Sequence, residues 1–461
     1  MRVSIALLTS DLRLHDNPVL RAALRGSDAV VPLFVTDAGV REAGFDVPNR
    51  RAFLADCLAD LDAGLRRRGG RLVVRTGDVV EQVSRVVYES GARRVHIARG
   101  ATGYAQRRQE RLRTALAEER CALHVHDAVN TTLSPDAVRP DDADHFRAFG
   151  PYAERWERAV PREPVGAPRI VRVPDHIGSD DRPSRSDVRG VSPGLAVGGE
   201  TAGRRSMATW TAGPVDAYAE RIDDLAADAT SRLSPYLHFG SLSPVELAHR
   251  VRKSEAAGAE AYLRQLARRD FCHQVLAARP RAAWQDRGGD RGGRGDPERT
   301  AAWQEGRTGW PAVDAAMRQL RYEGWLPGRA RLLAAGFLTG VLRTDWRVGA
   351  RHFLGLLVDG DVAENQLNWQ AVAGTGPGPE GPAPVGGPGP CPLVQAERFD
   401  PHGTYVRRWV PELAGVEGRA VHRPWRLPRE ARDRLDYPGP IAVPGEVAVD
   451  ADDVLARPHA D

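Results

Sequence analysis

Lysine is almost missing from this 461-residue chain: Lys253 is the only one, and the other cationic side chains are arginines. A guanidinium is a planar, permanently charged fork, so this bias supplies many groups shaped for phosphate. Net charge is only +4, which permits a basic surface without demanding one. Cysteine is scarce too. Cys57, Cys121, Cys272 and Cys391 have no CxxC or other metal spacing and do not read as a disulfide framework. No apolar run reaches membrane-spanning length, and residues 1–20 lack the apolar core of a secretion signal. A cytoplasmic protein with no membrane partner is expected. The nucleophile elbow, the Walker A loop and HExxH are also missing. His15, His238, His249, His273 and His352 are scattered, so no metal is expected. No GxGxxG follows the first strand, so no dinucleotide fingerprint is present.

What remains is an ordinary globular composition, 42% hydrophobic and 27% charged, in a chain long enough for two or three domains. Residues 1–130 alternate strand and helix patterns. Strand candidates are Val3 to Leu8, Ala29 to Val35, Arg71 to Arg75, Arg93 to Ala98 and Ala122 to His126. Helical stretches lie between them at Pro18 to Leu24, Arg50 to Arg68, Val79 to Ser90 and Tyr104 to Glu119. This pattern predicts an α/β domain with a doubly wound, parallel five-stranded sheet. Its ligand crevice should lie at the strand ends, beside the turn from Ser10 to Asn17. Residues 131–205 lose periodicity and accumulate Pro, Asp, Arg and Gly, as a long linker would. Residues 206–461 then read as an all-α domain.

The stretch Asp345 to Gln370 is the densest in the helical half. Phe353, Leu356 and Leu357 follow Trp346 at helical spacing. Asp359-Gly360-Asp361 interrupts the pattern. Asp361, with Glu364 three residues on, reads as the cap of a second helix. Asn365 and Trp369 are four apart and share a face of it. Two readings stay open at this level: a capped helical hairpin with two core tryptophans, or a site of carboxylates, amide and indole. Thr230 to Gly240 gathers three hydroxyls and an arginine ahead of a helix, which suits a phosphate but equally suits plain N-capping. Arg329 and Arg331 precede the acidic turn, as a partner for Asp359 or as a solvated basic face. Two segments are nearly pure Gly, Pro and Arg: 287–295 and 374–392. A flexible loop and a short out-of-frame translation of GC-rich DNA both fit the second.

Taken together, several long motifs resemble the photolyase/cryptochrome family, in particular its bacterial cyclobutane pyrimidine dimer branch. They are DLRLHDNPVL, Tyr218 ahead of TSRLSPYLHFGSLSP, LRQLARRDF, AWQEGRTGWPAVDAAMRQL, GWLPGRARLLAAGFL, the Asp345 stretch, QAERFDPHGTYVRRWVPEL and LDYPGPI. The resemblance spans nearly the whole chain. It implies a helical domain that holds FAD, acting as reduced FADH⁻ in light-driven repair of pyrimidine dimers in DNA by a monomeric lyase. Residue by residue, it implies that Tyr218, Thr230, Ser231, Arg232, Leu233 and Ser234 hold the phosphates and ribose. Asp359, Gly360 and Asp361 would meet the ribityl chain and the isoalloxazine, with Arg331 paired to Asp359. Asn365 would face flavin N5, and Trp369 and Trp346 would relay electrons. Gln265, Arg268, Arg269, Cys272, Gly328, Arg329 and Gln395 would line the damaged-DNA face. The segment Leu33 to Leu54, with Phe34, Asp37 and Arg50, resembles the branch whose antenna is 8-hydroxy-5-deazaflavin; methenyltetrahydrofolate is the alternative.

The chain also departs from that pattern. The family's two lesion-stacking tryptophans are Arg268 and Ala371 here, and its pocket glutamate is Gln265. Pro327-Gly328 stands for His-Asn. A third relay tryptophan should fall near Gly293. These departures keep open a cryptochrome-like blue-light receptor, or a flavoprotein that binds nucleic acid without repair.

Overall fold

A computed structural model describes residues 1–286, 293, 295–376 and 391–442. Five strands, β1 (Val3–Leu8), β2 (Ala29–Asp37), β3 (Val73–Gly77), β4 (Arg94–Ala98) and β5 (Ala122–His126), form one sheet in the order β3-β2-β1-β4-β5. Every pairing is parallel, and Ile5 at the centre lies between Val31 and Val95. β1 is buried along its whole length and β2 along most of it, as central strands covered by helical crossovers are, while the edge strands β3 and β5 are partly exposed. Val79–Ser90 shows how one crossover is bounded: Asp78 caps its first turn and Gly91, at φ 64°, ends it. Three expectations need adjustment. β2 continues to Asp37, β3 begins at Val73 rather than Arg71, and a short helix, Ala38–Glu42, follows β2.

Strand order reverses between β1 and β4, which opens the crevice next to the DLRLHDN turn. That turn is structural. Arg13 is buried and donates to the carbonyls of Asp16, Gly240 and Val129. Asn17 caps the Pro18–Leu24 helix.

The 131–205 stretch is not the bare linker its composition suggested. It carries the Phe149–Arg158 helix, with Tyr152, Ala153 and Trp156 buried. The Trp156 indole donates to Asp270 at 2.9 Å, which ties the helix to the Ala259–Ala278 helix. The flanking Pro and charge density hid an apolar stripe of four residues, Phe149, Tyr152, Ala153 and Trp156, at i, i+3, i+4 and i+7.

After His126 no further strand occurs among the described residues. Ser243 caps Pro244–Lys253, and Gly324 at φ 63° ends Pro311–Glu323. The Gly328–Gly336 helix continues into a π-helical stretch, Phe337–Val341. No described helix is long and apolar enough to cross a membrane.

Arg50 and Asn49 join the two halves. Arg50 Nη1 donates to the carbonyls of Leu354 and Leu357 at 2.6 and 2.9 Å, and Asn49 Nδ2 to that of Leu356 at 2.6 Å. These are the open carbonyls at the end of the Trp346–Leu356 helix.

Candidate functional site

Two consecutive helices build the site's wall. Asp345 caps Trp346–Leu356, and Asp361 caps Val362–Ala373 by accepting from the N–H groups of Ala363 and Glu364. The acidic turn between them, Val358 to Asp361, is largely buried. Gly360 has no room for a side chain: a Cβ there would sit 2.4 Å from Arg50 Nη1.

Asp359 is the hub. Its Oδ2 accepts from Ser234 Oγ at 2.6 Å and from Arg331 Nη2 at 2.7 Å. Trp325 Nε1 in turn donates to Ser234 Oγ at 3.0 Å. Asp359 Oδ1 is buried with no partner among the described residues, and so is Thr230 Oγ1. A buried acceptor left open is costly, so these two atoms mark where a hydroxyl-bearing ligand fits. Ser231 lies 2.9 Å from the Tyr262 hydroxyl, and the Tyr262 ring meets Tyr218 edge-on at 5.1 Å. Leu233 is core. Arg232 turns the other way: it pairs with Asp228 and Glu323 and lies over the Trp325 ring at 4.4 Å.

Asp361 Oδ2 lies 3.0 Å from His273 Nε2 and 4.0 Å from His238 Nδ1. Burial alone would raise this carboxyl; His273, His238 and Arg269 outweigh it and hold it well below the usual carboxylate range. It stays an anion at every physiological pH. Asn365 Nδ2 donates to Ala350 O at 3.1 Å and to Gln366 Oε1 at 2.9 Å. The Ala350 carbonyl fixes which end of the amide is nitrogen, so Asn365 Oδ1 is left to accept from a donor.

Trp369 is buried one turn beyond Asn365, edge-on to Phe353 at 5.0 Å and to Trp303 at 6.2 Å. Gly349 admits it, because a Cβ there would lie 2.2 Å from Trp369 Cη2. Trp303 was not singled out in the sequence, though it sits in the quoted AWQEGRTGW motif. Trp346 is buried and donates to Asp286 at 2.8 Å.

The residues expected on the DNA face scatter in exposure. Gln265 is exposed. Arg268 lies over the Phe149 ring at 4.4 Å, with Arg264 on the same ring at 5.2 Å. Arg269 is buried, donates to Asn130 O and lies 3.8 Å from Glu364. Cys272 and Gln395 are buried, and Gly328 opens a helix. Arg329 is not presented to a backbone. It forms a two-pronged pair with Asp223 at 3.0 and 2.6 Å, lies over Phe399 at 4.1 Å, and is 8% exposed. Ala371 is buried on the Val362–Ala373 helix. Gly293, the expected third relay position, packs so that a Cβ would lie 1.8 Å from Arg343 O. Most of the two Gly/Pro/Arg segments, residues 287–292, 294 and 377–390, lies outside the described residues.

Of the antenna positions, Phe34 is buried at the end of β2, and Asp37 accepts from the Tyr104 hydroxyl and from Gly39 N–H. Arg50 gives Nη1 to the helical domain's carbonyls and Nε to Phe45 O at 3.0 Å, and its Nη2 is buried with no partner among the described residues.

A helical wall of carboxylates, an amide and indoles thus packs against a parallel α/β domain, and known proteins share this chain's sequence and fold. Residues 262–452 match the FAD binding domain of DNA photolyase, and residues 4–169 match DNA photolyase. The chain is 58% identical over 443 residues to a deoxyribodipyrimidine photo-lyase of Streptomyces griseus, covering 96% of each. A class III photolyase crystal structure from Agrobacterium tumefaciens superposes with TM-score 0.86 at 28% identity, covering 99% of this chain and 96% of that one. A Sulfolobus tokodaii photolyase with two FAD molecules gives TM-score 0.82 at 28% identity, covering 98% of this chain and 99% of that one. The chain belongs to the DNA photolyase family.

Proposed function

We infer that this chain is a deoxyribodipyrimidine photo-lyase, which splits cyclobutane pyrimidine dimers in DNA with light. The observation that carries the reading is the Ser234–Asp359–Arg331 hub with its open Asp359 Oδ1, set in a chain 58% identical to a photo-lyase along almost its whole length. FAD, bound, supplies the electron that opens the cyclobutane ring.

The protein's part is positional and electrostatic. Asp359 and Thr230 would hold hydroxyls of the cofactor, with Ser231, Ser234, Tyr218 and Leu233 walling its ribose and phosphate end. Arg232 would brace this end through the Trp325 ring, whose indole donates to Ser234. Asn365 Oδ1 would accept the N5–H that a reduced flavin carries. Asp361, kept anionic by His273 and His238, sets a negative potential that Gly360 brings close to the ring. Trp369 and Trp346 would carry electrons inward during photoreduction. Gln265, Arg268, Arg269, Cys272, Gly328 and Gln395 border the face to which the extruded dimer would come. Arg329 would serve by bracing Asp223 rather than by touching phosphate. A damaged base pair stacks poorly, so extruding it costs less than the few kcal/mol of a normal pair.

The proposal extends to a second, antenna chromophore in the sheet crevice near Phe34 and Asp37, with 8-hydroxy-5-deazaflavin first and methenyltetrahydrofolate second. Burial raises the Asp37 carboxyl, so it can share a proton with a phenol-like ligand. It extends also to a cytoplasmic monomer, consistent with four unpaired cysteines. A second reading, a receptor without repair, is favoured by Arg268 and Ala371 alone. Light-dependent repair of a dimer-containing oligonucleotide decides: repair supports the lyase, and binding without repair under reducing light supports the second reading.

A further inference from the structure

The Trp346 indole is held by a carboxylate that nothing in the cofactor pocket uses. Nε1–H donates to Asp286 Oδ1 at 2.8 Å. The Asp286 side chain is 3% exposed, and its Oδ2 accepts from Arg347 Nη2 at 2.9 Å. The same guanidinium lies over the Trp346 ring, 4.9 Å from its centroid. A buried indole N–H needs an acceptor, and a backbone carbonyl suffices, as Ala334 O does for Trp303 at 3.0 Å. A carboxylate can do something a carbonyl cannot: it can keep the proton.

We propose that Asp286 is the proton acceptor for oxidation of Trp346. This rests on the reading of Trp369 and Trp346 as the electron relay. Trp369 gives one electron to the light-excited, oxidised flavin, and Trp346 refills Trp369 with one electron. An indole that has lost an electron is a far stronger acid than a neutral one. Its N–H bond breaks, the proton moves along the existing hydrogen bond, and an O–H bond forms on Asp286. A neutral indolyl radical and a neutral carboxylic acid result. Charge and electrons balance, with the flavin as one-electron acceptor.

Two features of the surroundings favour this. Arg347 holds the other oxygen of Asp286, Oδ2, and pairs with Asp345 as well, which keeps Asp286 Oδ1 on the indole N–H. Position 293, where a further indole would take the charge outward, is a glycine packed on the Arg343 carbonyl. Without that exit, deprotonation is what keeps the electron from falling back to Trp346.

The test is transient absorption of the FAD-loaded protein, starting from oxidised flavin, in H2O and D2O. The neutral and protonated indole radicals absorb at different visible wavelengths. The wild type should form the neutral radical, more slowly in D2O. Asp286→Asn keeps a hydrogen-bond acceptor but cannot hold the proton; the signal should shift to the protonated radical, lose its isotope effect and decay faster. Asp286→Glu should restore the neutral radical. Trp346→Phe should abolish the long-lived signal. If Trp346→Phe abolishes it but Asp286→Asn leaves the neutral radical and its isotope effect intact, this proposal is overturned and the relay stands. If Trp346→Phe changes nothing, the relay reading falls and takes the proposal with it.

Discussion

Arg331 and Ser234 converge on the same oxygen of Asp359, Oδ2, at 2.7 and 2.6 Å, and leave its other oxygen buried and open. The three residues come from separate helical segments, so the hub both fixes the fold and offers an acceptor to a ligand.

Replacing Asp359 by alanine strands the Arg331 charge, which is itself only part-buried. A loss of about 2 kcal/mol in stability is expected, since stranding a charged partner costs more than removing a neutral one. Flavin retention should fall with it. Asp359→Asn, which keeps the shape, should lose flavin with less unfolding. Urea titration and the flavin-to-protein absorbance ratio separate the two effects, and an Asp359→Asn protein that retains full flavin contradicts the assignment.

The Arg50 clamp should matter as much as any residue within the pocket. Arg50→Ala removes the donor to two buried helix-end carbonyls, Leu354 O and Leu357 O. Each open carbonyl costs about 1–3 kcal/mol. Gly360→Ala should behave alike, because its Cβ would displace the same Nη1. Arg50→Ala should loosen flavin binding without touching flavin, and Gly360→Ala should match it in lost stability. Equal stability and flavin content in either one would refute this.

Arg268→Trp combined with Ala371→Trp should raise affinity for dimer-containing DNA over undamaged DNA. A base stacked on an aromatic ring gains about 1–3 kcal/mol, roughly five- to a hundredfold per platform. Competition binding at fixed salt reads this directly. No gain in selectivity means those positions do not face the lesion.

Acid should weaken the fold in a window that two buried histidines set. Burial, with Arg321 nearby, pushes the His352 imidazole down to about 4. Burial and its neighbours His126 and His124 push His96 down to about 3. Below the ordinary histidine value of 6.5 the unfolded chain takes up a proton that the folded chain refuses. Stability is therefore complete above that value and falls as pH drops toward 4, by up to about 3 kcal/mol for His352. His352→Asn should remove that share of the slope in urea midpoints measured from pH 8 to pH 4.5. An unchanged slope rules His352 out as its source.

Much of this was legible because it is local. Asp361 followed by Glu364 marks a helix start, and the structure starts one there. Five short strand patterns separated by helical stretches mark a parallel sheet, and the structure pairs all five strands in parallel. The Arg331–Asp359 pair came from family resemblance, and geometry bears it out. What was hidden is long-range. Nothing near Arg329 announces Asp223, more than a hundred positions away, so a half-exposed ion pair was not foreseen among the roles its position suggested. Trp156 lay in a stretch dismissed for its composition, although its burial organises the Asp270 carboxylate. Asp286 was overlooked because it borders a Gly/Arg run, while its partner Trp346 lies across a turn of the fold.

The central claim is light-driven lesion repair, and one experiment tests it most directly. The purified protein, with its FAD reduced, is mixed with an oligonucleotide carrying a single thymine dimer and divided between blue light and darkness. Restored thymines are then counted by chromatography. Repair in the light and none in the dark is the predicted result, with higher yield at limiting enzyme from the variant carrying both tryptophans. An illuminated, flavin-loaded protein that binds the dimer and leaves it intact, with Arg268→Trp and Ala371→Trp in place as well as without them, would contradict the account.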